Sequence, residues 1–327
     1  MPKTAFVTGG AGYVGSHCAK AFADAGWSVI TYDNLSRGHR DLVQWGDLIE
    51  GDILDTDRLR DALQRTQPDA VAHFAALAYV TESIAAPDLY YRNNVLGTMN
   101  LLDAMQATGV TQFVFSSSCA TYGICNQLIT EDTPQNPINP YGETKRICER
   151  MIRDYGAANG LRSVILRYFN AAGCDADGAT GERHDPETHV IPLAIRGAMD
   201  GTFTFKIFGS DYDTPDGSCV RDYVHVSDLA DAHCRALEYL AKGGASEILN
   251  LGTGRGYSVL ELADAVSKVA GKPVPRVMAE RRPGDPPYLV ASAEKAGRVL
   301  GWHPKHSDLD TIIRTAWAWF EQEQVRV

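Results

Sequence analysis

Residues 8–15 have the sequence TGGAGYVG, and the fold prediction for the whole chain starts from this stretch. A short apolar run at 4–7 precedes it, and the small, apolar segment 16–25 that follows is typical of a helix packed on a sheet. Glycines at positions 9, 12 and 15 permit a tight turn and let the backbone approach a pyrophosphate closely. The first N–H groups of a helix, which lack partners inside the helix, bind such an anion. The stretch therefore predicts a dinucleotide-binding loop between a strand and a helix.

A second strand, predicted over residues 28–32, ends in Asp33. This carboxylate follows the glycine loop by roughly 20 residues, the spacing at which an acid binds the ribose hydroxyls of an adenine dinucleotide. Such a carboxylate would repel a 2′-phosphate, so Asp33 favours NAD over NADP, although Arg37 lies nearby. The alternative is a glycine-rich turn that binds no ligand.

Composition places the chain among ordinary globular proteins, with 327 residues, 44% hydrophobic and 22% charged. The formal net charge of −10 argues against a nucleic-acid or acidic-membrane partner, because both attract basic surfaces. The seven cysteines are widely spaced without a Cys-x-x-Cys motif, so we expect reduced thiols, no disulfide framework and no metal site. No apolar run approaches about 18 residues, and we expect no signal peptide, no membrane span and a cytoplasmic location.

Strands and helices alternate along the first part of the chain. Further strands are predicted at 48–53, 70–76, 112–118, 163–170 and 247–251, and helices at 55–66, 89–108 and 141–159, the last with Asn139 as its cap. Nearly all-apolar strands such as 70–76 are typical of a parallel sheet covered on both faces. The pattern predicts an α/β fold with a doubly wound parallel sheet of the Rossmann type, in which ligands bind at the carboxyl ends of the strands.

The second half of the chain differs in composition. Residues 171–222 are rich in Gly, Asp, Pro and Thr, with one helix near 191–199, and helices dominate from residue 255 onward apart from an extended stretch at 273–277. We predict two domains. Residues 1–170 plus 222–253 form an NAD-binding Rossmann domain, and residues 171–221 plus 254–327 form a smaller C-terminal α/β domain that binds the substrate.

Tyr141 and Lys145 are four residues apart on a predicted helix, hence on one face. Tyr141 falls in the first turn, where the positive end of the helix dipole favours a phenolate, and the Lys145 ammonium acts in the same direction. We expect these charges to move the pKa of Tyr141 from about 10 toward neutrality, which would make it a general base. Ser118 ends the preceding strand and could hydrogen-bond the same substrate hydroxyl. The alternative is an exposed helix pair and a strand-end serine without a catalytic role.

These motifs resemble the extended short-chain dehydrogenase/reductase family. Its pattern is matched by the glycine loop, by the serines at 116–118 and by the pair Tyr141-x-x-x-Lys145. The chain is similar over nearly its whole length to the nucleotide-sugar 4-epimerases of that family, whose sugar-nucleotide contacts resemble residues 168–170, 220–226 and 281–285. The resemblance implies NAD-dependent interconversion of UDP-glucose and UDP-galactose by transient oxidation at sugar carbon 4, with Tyr141 as the general base. It also implies a homodimer formed by helices of the first domain.

The resemblance further implies which residues contact each ligand. For NAD they are Gly9, Gly12, Tyr13, Val14, Gly15, Asp33, Asn34, Asp52, Ile53, Phe74, Ala75, Ala76, Asn93, Lys145 and Phe169. For the UDP-sugar they are Ser118, Tyr141, Asn170, His189, Val190, Phe208, Arg221, Arg282, Asp285 and Leu289. Arginines stay charged and pair with phosphate oxygens in a bidentate way, as a diphosphate on an acidic protein requires. For each arginine alone, a surface salt bridge is the alternative.

Leu289 is expected at the wall that faces the sugar. In the family, a tyrosine there goes with exclusion of N-acetylated sugars and a cysteine with their acceptance. Leucine is intermediate in size, so we expect UDP-glucose and UDP-galactose to be preferred, with slow turnover of UDP-N-acetylglucosamine. The alternative is that Leu289 packs behind the pocket.

Other functions share some of these motifs. A 4-epimerase of UDP-N-acetylglucosamine, UDP-xylose or UDP-glucuronate would keep all of them. A nucleotide-sugar dehydratase needs an added acid and base, and the Asp-Glu pair that follows the strand-end hydroxyl in such enzymes is replaced here by Cys119-Ala120-Thr121. We interpret Cys119 as a small buried residue rather than a reactive thiol. A non-catalytic NAD-binding sensor could lose the tyrosine and lysine that this chain keeps.

Overall fold

A computed structural model describes residues 2–125, 127–282 and 286–326. The strands are β1 (Thr4–Thr8), β2 (Ser28–Asp33), β3 (Asp47–Glu50), β4 (Ala70–His73), β5 (Gln112–Ser118), β6 (Arg162–Tyr168), β7 (Asn170–Ala172), β8 (Phe205–Phe208), β9 (Val220–Arg221), β10 (Tyr223–His225), β11 (Glu247–Leu251), β12 (Tyr257–Ser258), β13 (Arg276–Ala279) and β14 (Tyr288–Leu289). The helices are α1 (Tyr13–Asp24), α2 (Thr56–Thr66), α3 (Val80–Ala85), α4 (Pro87–Tyr90), α5 (Gly97–Thr108), α6 (Pro140–Asn159), α7 (Val190–Met199), α8 (Val226–Ala241), α9 (Val259–Ala270), α10 (Glu294–Leu300) and α11 (Leu309–Arg326).

The main sheet has seven parallel strands in the order β11-β6-β5-β4-β1-β2-β3. Helices cover both faces: α1 and α8 contribute to the buried cluster on one face, and α2, α5 and α6 to the cluster on the other. The chain moves outward from β1 through β2 to β3, then returns to add β4 on the other side of β1. The sheet confirms the predicted doubly wound α/β fold and puts its topological switch point between β1 and β4, where such sheets bind ligands.

Helix caps predicted from the sequence are also confirmed. The Asp55 carboxylate accepts a hydrogen bond from Arg58 N at 3.1 Å and starts α2. The Asn139 side chain accepts from Gly142 N at 2.9 Å and starts α6, with Pro140 in the first turn. These caps satisfy N–H groups that the helices leave without partners, and they fix where each helix begins.

The predicted helix 89–108 is wrong in its form, because the structure divides it into α4, a π-helical segment at Tyr91–Leu96, and α5. The wider π turn carries Asn94 inward. Its side chain accepts from Leu77 N at 2.8 Å and donates to Leu77 O at 3.0 Å and to Thr144 Oγ1 at 3.1 Å. The irregular turn therefore joins the loop after β4 to helix α6, a tertiary role that helical periodicity does not register.

The second half of the chain forms three small sheets, β12-β9-β14, β10-β7 and β13-β8. The predicted strand 163–170 ends earlier, at Tyr168, and Asn170 starts β7 instead. The extended stretch predicted at 273–277 begins before the observed β13. Most of these strands were not predicted, since runs of two to four residues are too short to show a period.

A third hydrophobic cluster joins α7, α9 and α11, with contributions from Leu42 and Tyr223. This cluster supports the division into two domains, which we retain as a proposal. All seven cysteines are free thiols. Among the residues described, no helix combines the length and apolar character that crossing a bilayer requires.

Candidate functional site

The glycine loop lies at the switch point of the main sheet, between β1 and α1. Gly9 has a φ of +74°, and a Cβ there would collide with Ala75 N. A Cβ on Gly15 would collide with Gly9 O, so both positions need glycine for the fold itself. Gly12 differs, because the protein atom nearest to its Cβ position is Gly9 O at 3.4 Å, an ordinary contact distance. The described part of the chain thus gives no steric reason for glycine at position 12, whereas a ligand approaching the backbone would give one.

The N-terminus of α1 faces the same loop. Gly12 is its cap residue and provides no side-chain hydrogen bond, which suits an anion at the first N–H groups. The phenol of Tyr13 donates to Gly173 O at 2.5 Å, and burial raises the pKa of Tyr13 well above its ordinary value. Tyr13 therefore ties α1 to the second half of the chain, and Val14 next to it is half-buried.

Asp33 is held rigidly at the end of β2. Its carboxylate accepts from Ala11 N at 3.0 Å and from Leu35 N at 2.8 Å, each through a different oxygen. Burial raises the pKa of Asp33, and the two backbone hydrogen bonds lower it in part. Since each carboxylate oxygen has two acceptor sites, each retains one for a ribose hydroxyl.

Arg37, the residue that could have favoured a 2′-phosphate, is already engaged. Its guanidinium donates to the Glu82 carboxylate at 2.7 Å and lies 5.3 Å from the centre of the Tyr79 ring. Because Glu82 neutralises the Arg37 charge, the negative charge of Asp33 is not offset at the ribose end of the loop, which favours NAD.

The remaining residues predicted to contact NAD follow the carboxyl ends of neighbouring strands. The Asn34 amide donates to the Asp52 carboxylate at 2.9 Å, beside the buried Ile53. Phe74 N and Ala75 N both donate to Thr8 O, which holds the loop after β4 against the end of β1. Ala76 and Asn93 are half-buried, and Phe169 is buried just beyond β6.

Tyr141, Lys145 and Ser118 come together where β5 meets α6. Tyr141 is 8% exposed and Lys145 is 4% exposed, which excludes the alternative of an exposed helix pair. Lys145 Nζ donates to Ser116 O at 2.8 Å and lies 4.8 Å from the centre of the Phe115 ring. The Ser118 hydroxyl lies beside the Tyr141 phenol and lowers its pKa in part. Ser118 and Tyr141 can therefore meet one substrate hydroxyl, with Lys145 one turn further along α6.

The expectation that Tyr141 has a lowered pKa is wrong for the protein chain alone. Burial, and then the nearby Tyr168, raise the pKa of Tyr141 well above its ordinary value, and the Ser118 hydrogen bond lowers it only in part. Burial also lowers the pKa of Lys145 to about 8, with Cys148 and Glu149 acting in the opposite direction. The sequence reasoning considered nearby charge but not desolvation, which disfavours any charged form. A phenolate at this position needs further positive charge beside it.

Residues predicted to bind the UDP-sugar lie on the short strands of the second half. Arg221 is buried on β9, donates to Val220 O at 2.8 Å, and lies opposite Leu289 of β14 in a parallel register. The Arg282 guanidinium lies 3.9 Å from the centre of the Phe208 ring. Asn170 begins β7, while His189 and Val190 stand at the start of α7. Asp285 lies outside the residues that the structure describes.

The structure adds Asp222, which the sequence reasoning missed. Its buried carboxylate accepts from Thr253 N at 2.9 Å and from Ala291 N at 3.2 Å, next to Arg221 in the chain. Burial raises the pKa of Asp222 to about 6, and those hydrogen bonds lower it in part. Asp222 joins three segments around the arginine, and the charged pair Arg221-Asp222 between apolar neighbours is the signal that could have indicated it.

A second buried acid, Glu149, was also missed. Arg167 Nη2 donates to Glu149 Oε2 at 2.5 Å, and Ser117 Oγ donates to Glu149 Oε1 at 2.5 Å. This pair links α6 to β5 and β6 directly behind Ser118 and Lys145. Its signal is a glutamate one turn after Lys145 on the same helix face. Cys119, predicted to be buried, is half-buried, and burial raises the pKa of its thiol to about 12, which disfavours the reactive thiolate.

The fold and this site define a class of protein: a doubly wound dinucleotide-binding enzyme with a buried Tyr/Lys pair at the carboxyl edge of its sheet. The family model described as the NAD dependent epimerase/dehydratase family matches residues 5–252. The chain belongs to this family. Membership confirms the prediction of NAD as the cofactor.

Named relatives are similar over nearly the whole chain. The UDP-glucose 4-epimerase of Rhizobium meliloti (strain 1021) is 55% identical over 314 residues, which cover 96% of this chain and 95% of the relative. The crystal structure of UDP-glucose 4-epimerase from Brucella ovis in complex with NAD is 53% identical, with a TM-score of 0.95 over 97% of this chain and 98% of that one. The UDP-glucose-4-epimerase from Stenotrophomonas maltophila with bound NAD and formylated UDP-arabinopyranose is 37% identical, with a TM-score of 0.96 over 99% of this chain and 100% of that one.

Proposed function

We propose that this protein interconverts UDP-glucose and UDP-galactose, with NAD as a tightly retained cofactor. One observation carries the proposal: the Tyr141 phenol is buried beside Ser118, with Lys145 anchored to Ser116 O one turn further along α6. The names of the relatives at 55% and 53% identity support the same activity.

Each catalytic side chain has a proposed role at a stated atom. Tyr141 Oη accepts the proton of the sugar 4-hydroxyl and later returns it, so a general base acts in each direction. Ser118 Oγ orients that hydroxyl, and Lys145, one turn further along α6, is proposed to add positive charge on the same helix face. Bound NAD supplies the hydride acceptor and a further positive charge near Tyr141. The redox change cancels within one turnover, so the protein has no need to release its cofactor.

The base function of Tyr141 is coupled to cofactor binding. Since burial raises the pKa of Tyr141, the cofactor-free chain holds a neutral phenol at neutral pH. Positive charge brought by the bound cofactor would favour the phenolate, so Tyr141 would be an effective base only in the NAD-bound protein. The residues proposed to hold the cofactor are the glycine loop, Asp33 and the strand ends described above, and the free space at Gly12 supports this assignment.

The UDP-sugar is proposed to bind across the short strands of the second half. Arg221 and Arg282 supply charged donors for the diphosphate, and Leu289, opposite Arg221 in the strand register, is proposed to face the sugar. Leu289 also packs against the buried cluster to which α1 and α8 contribute, which is what the packing alternative requires. The two readings predict different effects of changing its size.

A homodimer in the cytoplasm completes the proposal. Large apolar side chains are exposed on the helices between β4 and β5, among them Ile84 at 57%, Leu89 at 42% and Met99 at 38%. Such a group on one side of the Rossmann domain is typical of a protein interface. Sedimentation equilibrium of the purified protein would test the dimer.

The activity is tested by incubating the purified protein with single UDP-sugars, without added NAD, and following the products by NMR. UDP-glucose and UDP-galactose are expected to interconvert to one equilibrium mixture from either side. A 4-keto-6-deoxy product would support the dehydratase alternative instead. Protein that carries NAD yet converts no sugar in the panel would indicate a sensor.

A further inference from the structure

Four side chains just before α7 form a compact group, here named the 182–189 cluster: Glu182, His184, Glu187 and His189. They follow one another at alternating spacing in the sequence Glu182-x-His184-x-x-Glu187-x-His189. One potential ligand atom from each lies within 4.8 Å of the others. Imidazole nitrogen and carboxylate oxygen together are a ligand set that zinc accepts in proteins.

Three distances inside the cluster are close to the edge of a tetrahedron around an ion. His184 Nδ1 lies 3.3 Å from Glu182 Oε1 and 3.5 Å from Glu187 Oε2, and His189 Nδ1 lies 3.3 Å from Glu182 Oε1. Zinc bonds of about 2.0–2.1 Å to nitrogen and oxygen, set at tetrahedral angles, put ligand atoms about 3.3–3.4 Å apart. The fourth ligand is Glu187. Its Oε1 lies 2.8 Å from His189 Nδ1, and its Oε2 lies on the His184 side.

The burial of the Glu182 carboxylate and the lack of a hydrogen-bond partner at His184 Nδ1 also indicate a cation at the cluster. His184 Nδ1 is a buried nitrogen with no hydrogen-bond partner, although two carboxylates flank it. The Glu182 side chain is only 3% exposed and its ion-pair partners are the two histidines. A buried carboxylate requires a compensating positive charge close by. A divalent cation at the centre would supply that charge and use the unpartnered nitrogen.

We propose that the 182–189 cluster binds one Zn²⁺ ion through Glu182, His184, Glu187 and His189. Magnesium and calcium are less suitable because they prefer all-oxygen ligand sets. A site with four protein ligands is closed and therefore structural rather than catalytic. The site does not include Tyr141, but His189 is also one of the residues expected to contact the UDP-sugar, so the test below measures zinc binding rather than turnover.

The position of the cluster tells what the ion would stabilise. The His184 ring lies edge-on to Tyr13 at 6.1 Å and to Tyr79 at 6.0 Å between ring centres, so the first half of the chain packs against it. His189 is the cap residue of α7. The ion would thus fix the start of α7 against the glycine-loop side of the molecule and raise the melting temperature of the protein.

Calorimetric titration of the chelator-treated protein with ZnCl₂ tests the proposal. One equivalent per chain is expected to bind, and it should raise the melting temperature. His184→Asn removes the central nitrogen, and Glu187→Gln keeps one oxygen to accept from the backbone N–H groups of Thr188 and His189 while removing the charge. Each change should weaken zinc binding by more than about tenfold, since even partners outside the ligand shell cost 10–100-fold.

His303→Asn is the matched control, because it removes an exposed histidine far from the cluster in sequence. It should bind zinc as the unchanged protein does. Substitution with Co²⁺ identifies the ligands, since cysteine sulfur would add a thiolate absorption band that nitrogen and oxygen ligands lack. Absence of stoichiometric zinc binding would overturn the proposal. So would unchanged affinity in both His184→Asn and Glu187→Gln, or a thiolate band. The NAD content and the metal-free melting curve of each variant separate lost binding from lost folding.

Discussion

The cofactor half and the substrate half of the site are held in different ways. On the cofactor side, backbone groups at the ends of long parallel strands hold the loop: Gly9 and Gly15 pack against main-chain atoms, and Asp33 accepts from two N–H groups. On the substrate side, strands of two to four residues are joined by one buried side chain, Asp222. The first arrangement follows from local sequence, whereas the second depends on contacts between distant segments. Substitutions on the two sides should therefore have different effects on the protein.

The largest effect is expected at the boundary between the two halves. Tyr141→Phe removes the proposed proton acceptor without changing the helix, so kcat should fall by about 10²–10⁴, measured with UDP-galactose, while NAD stays bound. Tyr155→Phe is the matched control, because it removes a phenol on the same helix that donates to Asp103 at the exposed surface. Turnover of Tyr141→Phe within about tenfold of the unchanged protein would contradict its role as base.

The cofactor half is tested by two glycines of one loop. Gly12→Ala should fold normally, since its new methyl meets only ordinary contacts, but bind NAD at least about tenfold more weakly because the methyl occupies ligand space. Gly15→Ala should instead lower the melting temperature, because its methyl meets Gly9 O. NAD titration and thermal unfolding of both variants measure this. Equal NAD affinity in Gly12→Ala and the unchanged protein would show that glycine 12 does not serve the cofactor.

The substrate half is tested by the pH dependence of stability. Burial raises the pKa of Asp222 to about 6, above the ordinary value of about 3.9, so the folded protein binds its proton more tightly than the unfolded chain does. The associated stability is present below about pH 4 and is lost as the pH rises through about 6, amounting to about 2–3 kcal/mol. Asp222→Asn should remove this part of the pH dependence. Urea unfolding at several pH values between 4 and 7 measures the free energy of unfolding. If this free energy changed with pH equally in Asp222→Asn and the unchanged protein, the assignment would be ruled out.

The smallest effect is expected at Leu289, where the size of one side chain is tested. Leu289→Cys should raise kcat/KM for UDP-N-acetylglucosamine relative to UDP-galactose, and Leu289→Tyr should lower it. Shape mismatches in apolar pockets discriminate by about 1–3 kcal/mol, so each ratio should change by about tenfold. A ratio that stays constant across Cys, Leu and Tyr would favour the packing role instead.

The sequence predicted what depends on neighbours along the chain. The glycine loop, the ribose acid Asp33 and the Asn139 cap each act within a few residues of their own position, and the structure has the loop, the acid and the cap where they were expected. The long strands of the main sheet were predicted for the same reason, since each shows its own apolar run.

What the sequence did not reveal depends on pairs that lie far apart. Arg167 and Glu149 form one buried ion pair from different elements, and Asp222 meets Thr253 and Ala291. The pKa of Tyr141 was predicted in the wrong direction because its burial comes from segments outside its own helix. Desolvation is a property of the folded whole, so motif spacing alone does not report it.

The Arg37 and Glu82 ion pair also constrains how cofactor preference can change during evolution. A lineage that exchanged NAD for NADP would have to remove the negative charge at Asp33 and, in addition, release Arg37 from Glu82 and from the Tyr79 ring. Neutralising Asp33 alone would end its repulsion of a 2′-phosphate but leave Arg37 paired with Glu82, and releasing Arg37 alone would leave the Asp33 charge in place, so each change gives only part of the gain. A full change of preference from NAD to NADP therefore requires two substitutions together rather than one.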